Sequence, residues 1–352
     1  MRRAILIAVG LSVLAQLLIL LQAPVLLCFI LAGASLIAIG GVLADTLQDL
    51  SGHVGPVASG LLNATFGNSV ELIIGFMALS KGLVEVVKAT ITGSIITNLL
   101  LVLGLAAVAG GLRHKQLQFS AIGALQTIGT MTVVVMGLMI PSMFVLLPHP
   151  EARAPLSVEL DELSLAVSAI LMFLYFLGLL FSLHTHRDIL SPLAVEGQEP
   201  EMSLRSAGLI LLGATSLVAL QSEALLSMFE RLAARVPLTP TFMGVIVLAS
   251  VGNAADYAVA IRMARNNQME VVFQIVSNAA TQIALFVAPL LVFVGLAMGQ
   301  PMDLAFSLLE VLAVALATLA MAIQSADGRL NWFEGAQLLS VYGLLAVTFL
   351  FY

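Results

Sequence analysis

Two short stretches carry ionisable chemistry inside otherwise apolar sequence: Gly67-Asn68-Ser69-Val70-Glu71 and Gly252-Asn253-Ala254-Ala255-Asp256. Each sets a carboxylate three residues after an asparagine, near the middle of a hydrophobic run about as long as a bilayer is thick. An ionised side chain at that depth costs a few kcal/mol or more, so an acid placed there reads as a working residue. Two carboxylates joined by amide and backbone oxygens make an all-oxygen site. Such a site suits Ca²⁺ and lacks the imidazole or thiolate that zinc favours. The expected metal-binding set is Glu71, Asp256, Asn68 and Asn253, with protons as the competing occupants of the two acids.

The two stretches are related. Positions 71 and 256 lie 185 apart, and Glu85-Val86-Val87 with Glu270-Val271-Val272, Leu100 with Leu285, and Val102 with Val287 keep that offset without a gap. The chain therefore contains an internal repeat centred on the acids. Helical spacing sets Asn68, Glu71 and Gly75 on one face, and Asn253, Asp256 and Ala260 on its counterpart. Glycines 60, 67 and 75, and glycines 244 and 252, weaken these helices, so breaks are expected near Gly67 and Gly252. A break bares backbone carbonyls as further hard oxygen ligands.

The helix after each acid carries a polar stripe. Thr90, Gly93, Ser94, Thr97 and Asn98 form the first, and Ser277, Asn278, Thr281 and Gln282 the second. From these, Ser94, Thr97, Asn98, Asn278 and Gln282 are candidates for lining or gating an ion path. Hydrogen bonding between helices by small polar residues is the competing account. It suits Thr90 and Ser277 better than the bulky mid-helix amides Asn98 and Gln282.

The elements that position these residues are apolar helices. Of 352 residues, 60% are hydrophobic and 10% charged, against roughly 25% charged in a soluble domain. This defines an all-α polytopic membrane protein. A first helix over residues 4–21 is followed by spans near 23–43, 56–79, 83–109, 119–141, 161–183, 205–224, 241–263, 269–297, 303–324 and 332–352, about eleven in all. Met1-Arg2-Arg3 with its apolar continuation has the start of a secretory signal, but no small-residue cleavage site follows, so the helix is expected to be retained.

Threading the loops from a cytoplasmic N-terminus leaves nine cations inside (Arg2, Arg3, Arg113, Lys115, Arg187, Arg205, Arg262, Arg265, Arg329) and four outside (Lys81, Arg153, Arg231, Arg235). That orientation obeys the positive-inside rule and places the C-terminus outside. The domains read as an N-terminal helix (1–22), a first five-helix repeat (23–183), a cytoplasmic linker (184–204) and a second five-helix repeat (205–352). Five is odd, so the repeats are inverted, which is a transporter architecture with its site at the repeat interface.

Other candidates carry less. His184 and His186, near Asp188, read as solvated loop histidines. Glu85 and Glu270 begin helices, where a carboxylate complements the macrodipole. Trp332 and Tyr352 read as interface anchors. Cys28 is the single cysteine, so no intrachain disulfide forms. A net charge of −6 and the absence of a basic patch give no reason to expect a nucleic-acid partner. No phosphate-cradling loop or Ser/His/Asp pattern is present, and no histidine falls near the acids within a span, which argues against an intramembrane hydrolase. A channel would have no evident need of two equivalent acids. No cofactor or oligomeric partner is specified.

The stretch Gly60-Leu61-Leu62-Asn63-Ala64-Thr65-Phe66-Gly67-Asn68-Ser69-Val70-Glu71-Leu72-Ile73 closely resembles the calcium/proton exchanger family of cation antiporters. The resemblance continues through Glu85-Val86-Val87-Lys88-Ala89 and Gly93-Ser94-Ile95-Ile96-Thr97-Asn98, and resumes at Phe181-Ser182-Leu183-His184. It extends over Gly252-Asn253-Ala254-Ala255-Asp256, Gln282-Ile283-Ala284-Leu285 and the tail from Asp327 to Gly335, so it covers nearly the whole chain. It implies an eleven-helix antiporter that moves Ca²⁺ out of the cytoplasm against incoming protons. The family's paired acids fall on Glu71 and Asp256, its motif asparagines on Asn68 and Asn253, and its polar residues on Ser94, Asn98 and Gln282. The second repeat departs from the family pattern. Asp256-Tyr257 stands for Glu-His, Asn278-Ala279 for Gly-Ser, and Ala249-Ser250 for Leu-Pro. A bulkier Asn278 is expected to fill space that the shorter Asp256 vacates.

The expected function is secondary active exchange of cytoplasmic Ca²⁺ for protons across a bacterial cytoplasmic membrane. The pair holds either one divalent cation or two protons, and that competition couples the fluxes. A Na⁺/H⁺, Na⁺-coupled or Mn²⁺-preferring exchanger of the same superfamily is the alternative. Further carboxylates in the site would favour sodium coupling, and the sequence supplies two.

Overall fold

The computed structural model describes residues 1–54, 56–148, 155–185, 202–235 and 238–352. Apolar helices dominate them: α1 (Arg2–Leu20), α2 (Val25–His53), α3 (Pro56–Phe66), α4 (Ser69–Ser80), α5 (Val84–Gly111), α6 (Ala121–Leu146), α7 (Leu156–Thr185) and α8 (Leu204–Ala233). They continue with α9 (Pro240–Gly252), α10 (Ala254–Arg265), α11 (Met269–Ala297), α12 (Leu308–Ser325) and α13 (Trp332–Phe351). His186 and Asp188, most of the 184–204 linker, and Arg153 of the loop before α7 lie outside the described residues.

Among the described residues nine helices are long and apolar enough to cross a membrane. The pair α9–α10, bent by 57° at Asn253, makes a tenth. An eleventh is reached only by counting α3 and α4 as one broken span. Large apolar side chains such as Leu6, Leu20, Ile122, Phe173 and Phe351 cover the outside, where a lipid phase removes the penalty they would carry in water.

The two most buried spans, α5 and α11, occupy the centre. Each contains a π-helical turn at matching repeat positions, Thr97–Val102 and Ile283–Val287. The first turn takes in the end of its polar stripe, Thr97 and Asn98, and the second begins directly after Gln282, in keeping with the habit of π-bulges to sit near functional positions. Around this centre α4 packs on α5 and α8, α10 on α5 and α11, α9 on α5, and α13 on the C-terminal half of α5.

Contacts sort the loops onto two faces. On one, Leu117 and Gln118 pair antiparallel with Leu330 and Arg329, and the His114 ring hydrogen-bonds the Arg265 carbonyl at 3.1 Å. The cation-rich loops around residues 113–115, 262–265 and 329 therefore share a side. On the other, Lys81 lies 4.0 Å from Glu223, and Lys88 reaches the segment before α12.

That last segment corrects the sequence reading of a span from 303. Ser307 caps the helix and exchanges bonds with Glu310 in a capping box, so α12 begins at Leu308. The preceding residues are irregular, with a bend at Leu304, and side chains meet several of their amides. Leu304 N–H donates to Ser164 Oγ at 3.0 Å and Phe306 N–H to Ser142 Oγ at 2.9 Å. The buried Lys88 ammonium donates to Asp303 at 2.8 Å and to the Ala305 carbonyl at 3.0 Å. Removing this donor leaves two acceptors without it, and hydrogen bonds to charged groups are worth about 1.5–3 kcal/mol. Lys88→Met is expected to destabilise the purified protein by an amount in that range, read as a lower thermal midpoint. An unchanged midpoint would mean that the lysine does not staple this segment.

Candidate ion-binding site

Both acid-bearing helices start at a break. The α3 ladder ends with the Gly67 amide on the Asn63 carbonyl at 2.7 Å, and Asn68 leaves helical geometry at φ −115° and ψ 36°. In the second repeat Asn253 takes φ −85° and ψ 7° between α9 and α10. Sequence placed these breaks near Gly67 and Gly252, and the structure has them there.

Each asparagine is the residue before its helix, and each acid is the third residue within it: Ser69, Val70, Glu71 in α4 and Ala254, Ala255, Asp256 in α10. Two helix N-termini thus present carboxylates, a position where the macrodipole favours negative charge. Two helix C-termini, Phe66 and Gly252, leave carbonyls with no partner further along the helix. Asn68 caps α4, its carbonyl accepting from the Leu72 amide at 3.0 Å, so Asn68 and Glu71 share the first turn after the break.

Glu71 is buried and reaches across to the other repeat. A Cβ built on Gly252 would lie 3.3 Å from Glu71 Oε1. Asp256 is partly exposed, and the two carboxylates are close enough to act on one another electrostatically. Beside Glu71 is a cavity of about 10 Å³ lined by Gly75, Thr90, Ser94 and Ile283 among others, roughly the room that one water needs.

The amides brace the repeats against each other. Asn68 Nδ2 donates to Gln282 Oε1 at 2.7 Å, so the first break is tied to the second repeat's central helix. Asn253 Nδ2 donates to Ser94 Oγ at 3.1 Å and to the Ala249 carbonyl at 2.8 Å, and Asn253 Oδ1 accepts from Asn98 Nδ2 at 2.5 Å. The second break is thereby tied to the first repeat's central helix. Asn98 Oδ1 and Thr97 Oγ1 are fully buried and have no partner among the described residues, which leaves oxygen acceptors for water or a passing ion.

Asn278 differs from the other candidates. It is exposed, and no hydrogen bond to it is seen among the described residues. The expectation that it fills space beside the short Asp256 is corrected, because a side chain open to solvent is not pressed into a tight site. Thr90 donates to its own helix at the Val86 carbonyl, as the structural account had it. Tyr257 is a site neighbour that sequence reasoning recorded only as a departure. It lies within electrostatic reach of both carboxylates, and its adjacency to Asp256 was the available signal.

This arrangement defines a polytopic membrane transporter in which related halves each bring one carboxylate to a broken helix. The chain belongs to the sodium/calcium exchanger protein family, whose pattern matches residues 24–184 and 206–351. It is 40% identical over 343 residues to the Ca²⁺/H⁺ antiporter of Synechocystis sp., spanning 92% of this chain and 91% of the relative. It is 38% identical over 331 residues to the Ca²⁺/H⁺ antiporter ChaA of Bacillus subtilis, spanning 93% and 92%. The solved structure of native YfkE superposes with a TM-score of 0.84 at 33% identity, covering 99% of each chain.

Proposed function

We propose that the protein is a secondary active antiporter that exchanges cytoplasmic Ca²⁺ for protons, with Glu71 and Asp256 as the shared binding pair. The observation that carries this reading is the placement of two carboxylates at equivalent positions of two broken helices, within electrostatic reach of one another. One divalent cation neutralises both acids, and so do two protons, but the two states exclude each other. Coupling then needs no covalent step and no cofactor. Carbonyls at the ends of α3 and α9 supply further hard oxygens, as a Ca²⁺ shell of six to eight ligands requires. Relatives named Ca²⁺/H⁺ antiporters, similar over nearly their whole length, support the same reading.

The two repeats are not in the same conformation. A Cβ on Gly93 of α5 would fall on the Val245 carbonyl of α9, and one on Gly244 would meet Ala89 at 2.5 Å, so α5 and α9 touch backbone to backbone. Between α11 and α3 the described contact is at Gln282, whose Nε2 donates to the Asn63 carbonyl at 3.4 Å, whereas Asn278 further up α11 is exposed. The side at which α11 begins carries the cation-rich loops, the cytoplasmic face in the orientation we assign. The site is therefore read as open to the cytoplasm and sealed outward, with the N-terminus inside and the C-terminus outside.

The test is ⁴⁵Ca²⁺ uptake into everted vesicles. An acid-inside pH gradient should drive uptake, and a protonophore should abolish it. Uptake that follows an imposed Na⁺ gradient and ignores the pH gradient would replace this reading with sodium coupling.

A further inference from the structure

The sealed and open crossings occupy equivalent places in the two repeats, yet their residues differ. With the 185-residue offset, Ala89 and Gly93 of α5 correspond to Gln274 and Asn278 of α11, and Gly244 and Val245 of α9 correspond to Ser59 and Gly60 of α3. In α5 the positions are small and buried, and they admit the α9 backbone. In α11 they are polar and open. Gln274 is partly exposed and donates to Glu270 at 2.9 Å, while Asn278 is exposed one turn further on.

Steps of four residues carry Glu270, Gln274, Asn278 and Gln282 along one face of α11, from its first turn to the bond with Asn68. A polar stripe at that depth marks a water-filled gap rather than a lipid face.

An inverted repeat changes access when its halves exchange conformations. In the exchanged state α11 must cross α3 as α5 now crosses α9. Gly93 makes the present crossing possible because any Cβ there would strike the backbone of Val245. Asn278 brings a Cβ and an amide to the equivalent point, so the same depth of approach is denied.

We propose that Asn278 keeps the α11–α3 crossing from closing as deeply as the α5–α9 crossing, and thereby biases the resting transporter towards the state open on the α11 side. The bias rests on reading the chain as an alternating-access antiporter. It is a property of this chain's second repeat, since the first repeat has glycine at the matching position.

The experiment reads accessibility without transport. In a Cys28→Ala background, Gln274→Cys serves as a reporter for a membrane-impermeant maleimide added to everted vesicles without Ca²⁺ or a pH gradient. The reporter alone should label quickly. Adding Asn278→Gly should slow labelling at least about threefold, because a deeper closure draws population away from the open state. Asn278→Ala should fall between, and Asn278→Gln should label like the parent.

Trimming a side chain beside the reporter would by itself speed labelling, so the expected sign is opposite to a local effect. Unchanged or faster labelling in Asn278→Gly, in protein that remains monodisperse, would overturn the proposal. Slower labelling in a protein that fails to move Ca²⁺ would retain the gate and remove the assigned substrate.

Discussion

Glu71→Gln is expected to reduce proton-driven Ca²⁺ uptake about a hundredfold or more while the protein still inserts and purifies as the parent does. The amide preserves volume and the capacity to accept a hydrogen bond, but it carries no charge and releases no proton. A unit charge about 4 Å from another is worth about 4 kcal/mol at an effective dielectric of 20, and a divalent ion roughly doubles that. The loss exceeds the approximately 2.8 kcal/mol that a hundredfold change represents. Asp256→Asn should do the same, because Asp256 supplies the other half of the pair.

The pH dependence carries the mechanism. Ca²⁺ must displace bound protons, so its apparent dissociation constant in the parent should rise as pH falls, by up to about a hundredfold per unit where two protons compete. In either variant the residual slope should not exceed about tenfold per unit, the limit for one proton. Ca²⁺ binding by isothermal titration across a pH series measures both quantities. Parent-like uptake by Glu71→Gln at matched expression would remove Glu71 from the ion site.

The acids, the repeat and the helix breaks were legible because each is a local fact of sequence: a charge in an apolar run, a fixed offset, a glycine beside an asparagine. The bracing of the site was not. Asn68 meets Gln282 across 214 positions and Asn98 meets Asn253 across 155, and helical periodicity within one segment says nothing about which distant amide it will face. Sequence grouped Asn68 and Asn253 with the acids as ligands, and the structure adds that both amides hydrogen-bond across to the opposite repeat. The π-turns at Thr97 and Ile283 were illegible for a related reason, since an extra residue in a turn leaves no compositional mark. The start of α12 at Leu308 was missed because Met302–Phe306 is apolar enough to pass for helix. What decides against helix there is the set of hydroxyls from Ser142 and Ser164 that occupy its amides. Asn278 shows the limit of comparing residue types alone: its bulk was visible, but the emptiness of the space around it was not.

Gly93→Val is expected to cost both stability and the outward seal. At this crossing the obstructing atoms are the Val245 carbonyl and Cα and the Ala249 Cβ, none of which can rotate away as the end of a long side chain would. A Cβ at 93 therefore separates α5 from α9, and overpacking of this kind costs about 1–3 kcal/mol. The displaced contact also closes the site on the side away from the cation-rich loops. The variant should show a lower thermal midpoint, and vesicles containing it should lose an imposed pH gradient faster than parent vesicles when Ca²⁺ is present. Net Ca²⁺ accumulation should fall roughly tenfold, the scale of a loss of about 1.4 kcal/mol in closure of that seal. Gly129→Ala is the matched control, because a Cβ at that position of α6 meets nothing within 4 Å. It should leave midpoint and coupling as they are. A Gly93→Val protein with the parent's midpoint and full Ca²⁺ accumulation would show that α5 and α9 are not held at backbone contact during transport. The small residues at 89, 93 and 244 would then have no part in the seal.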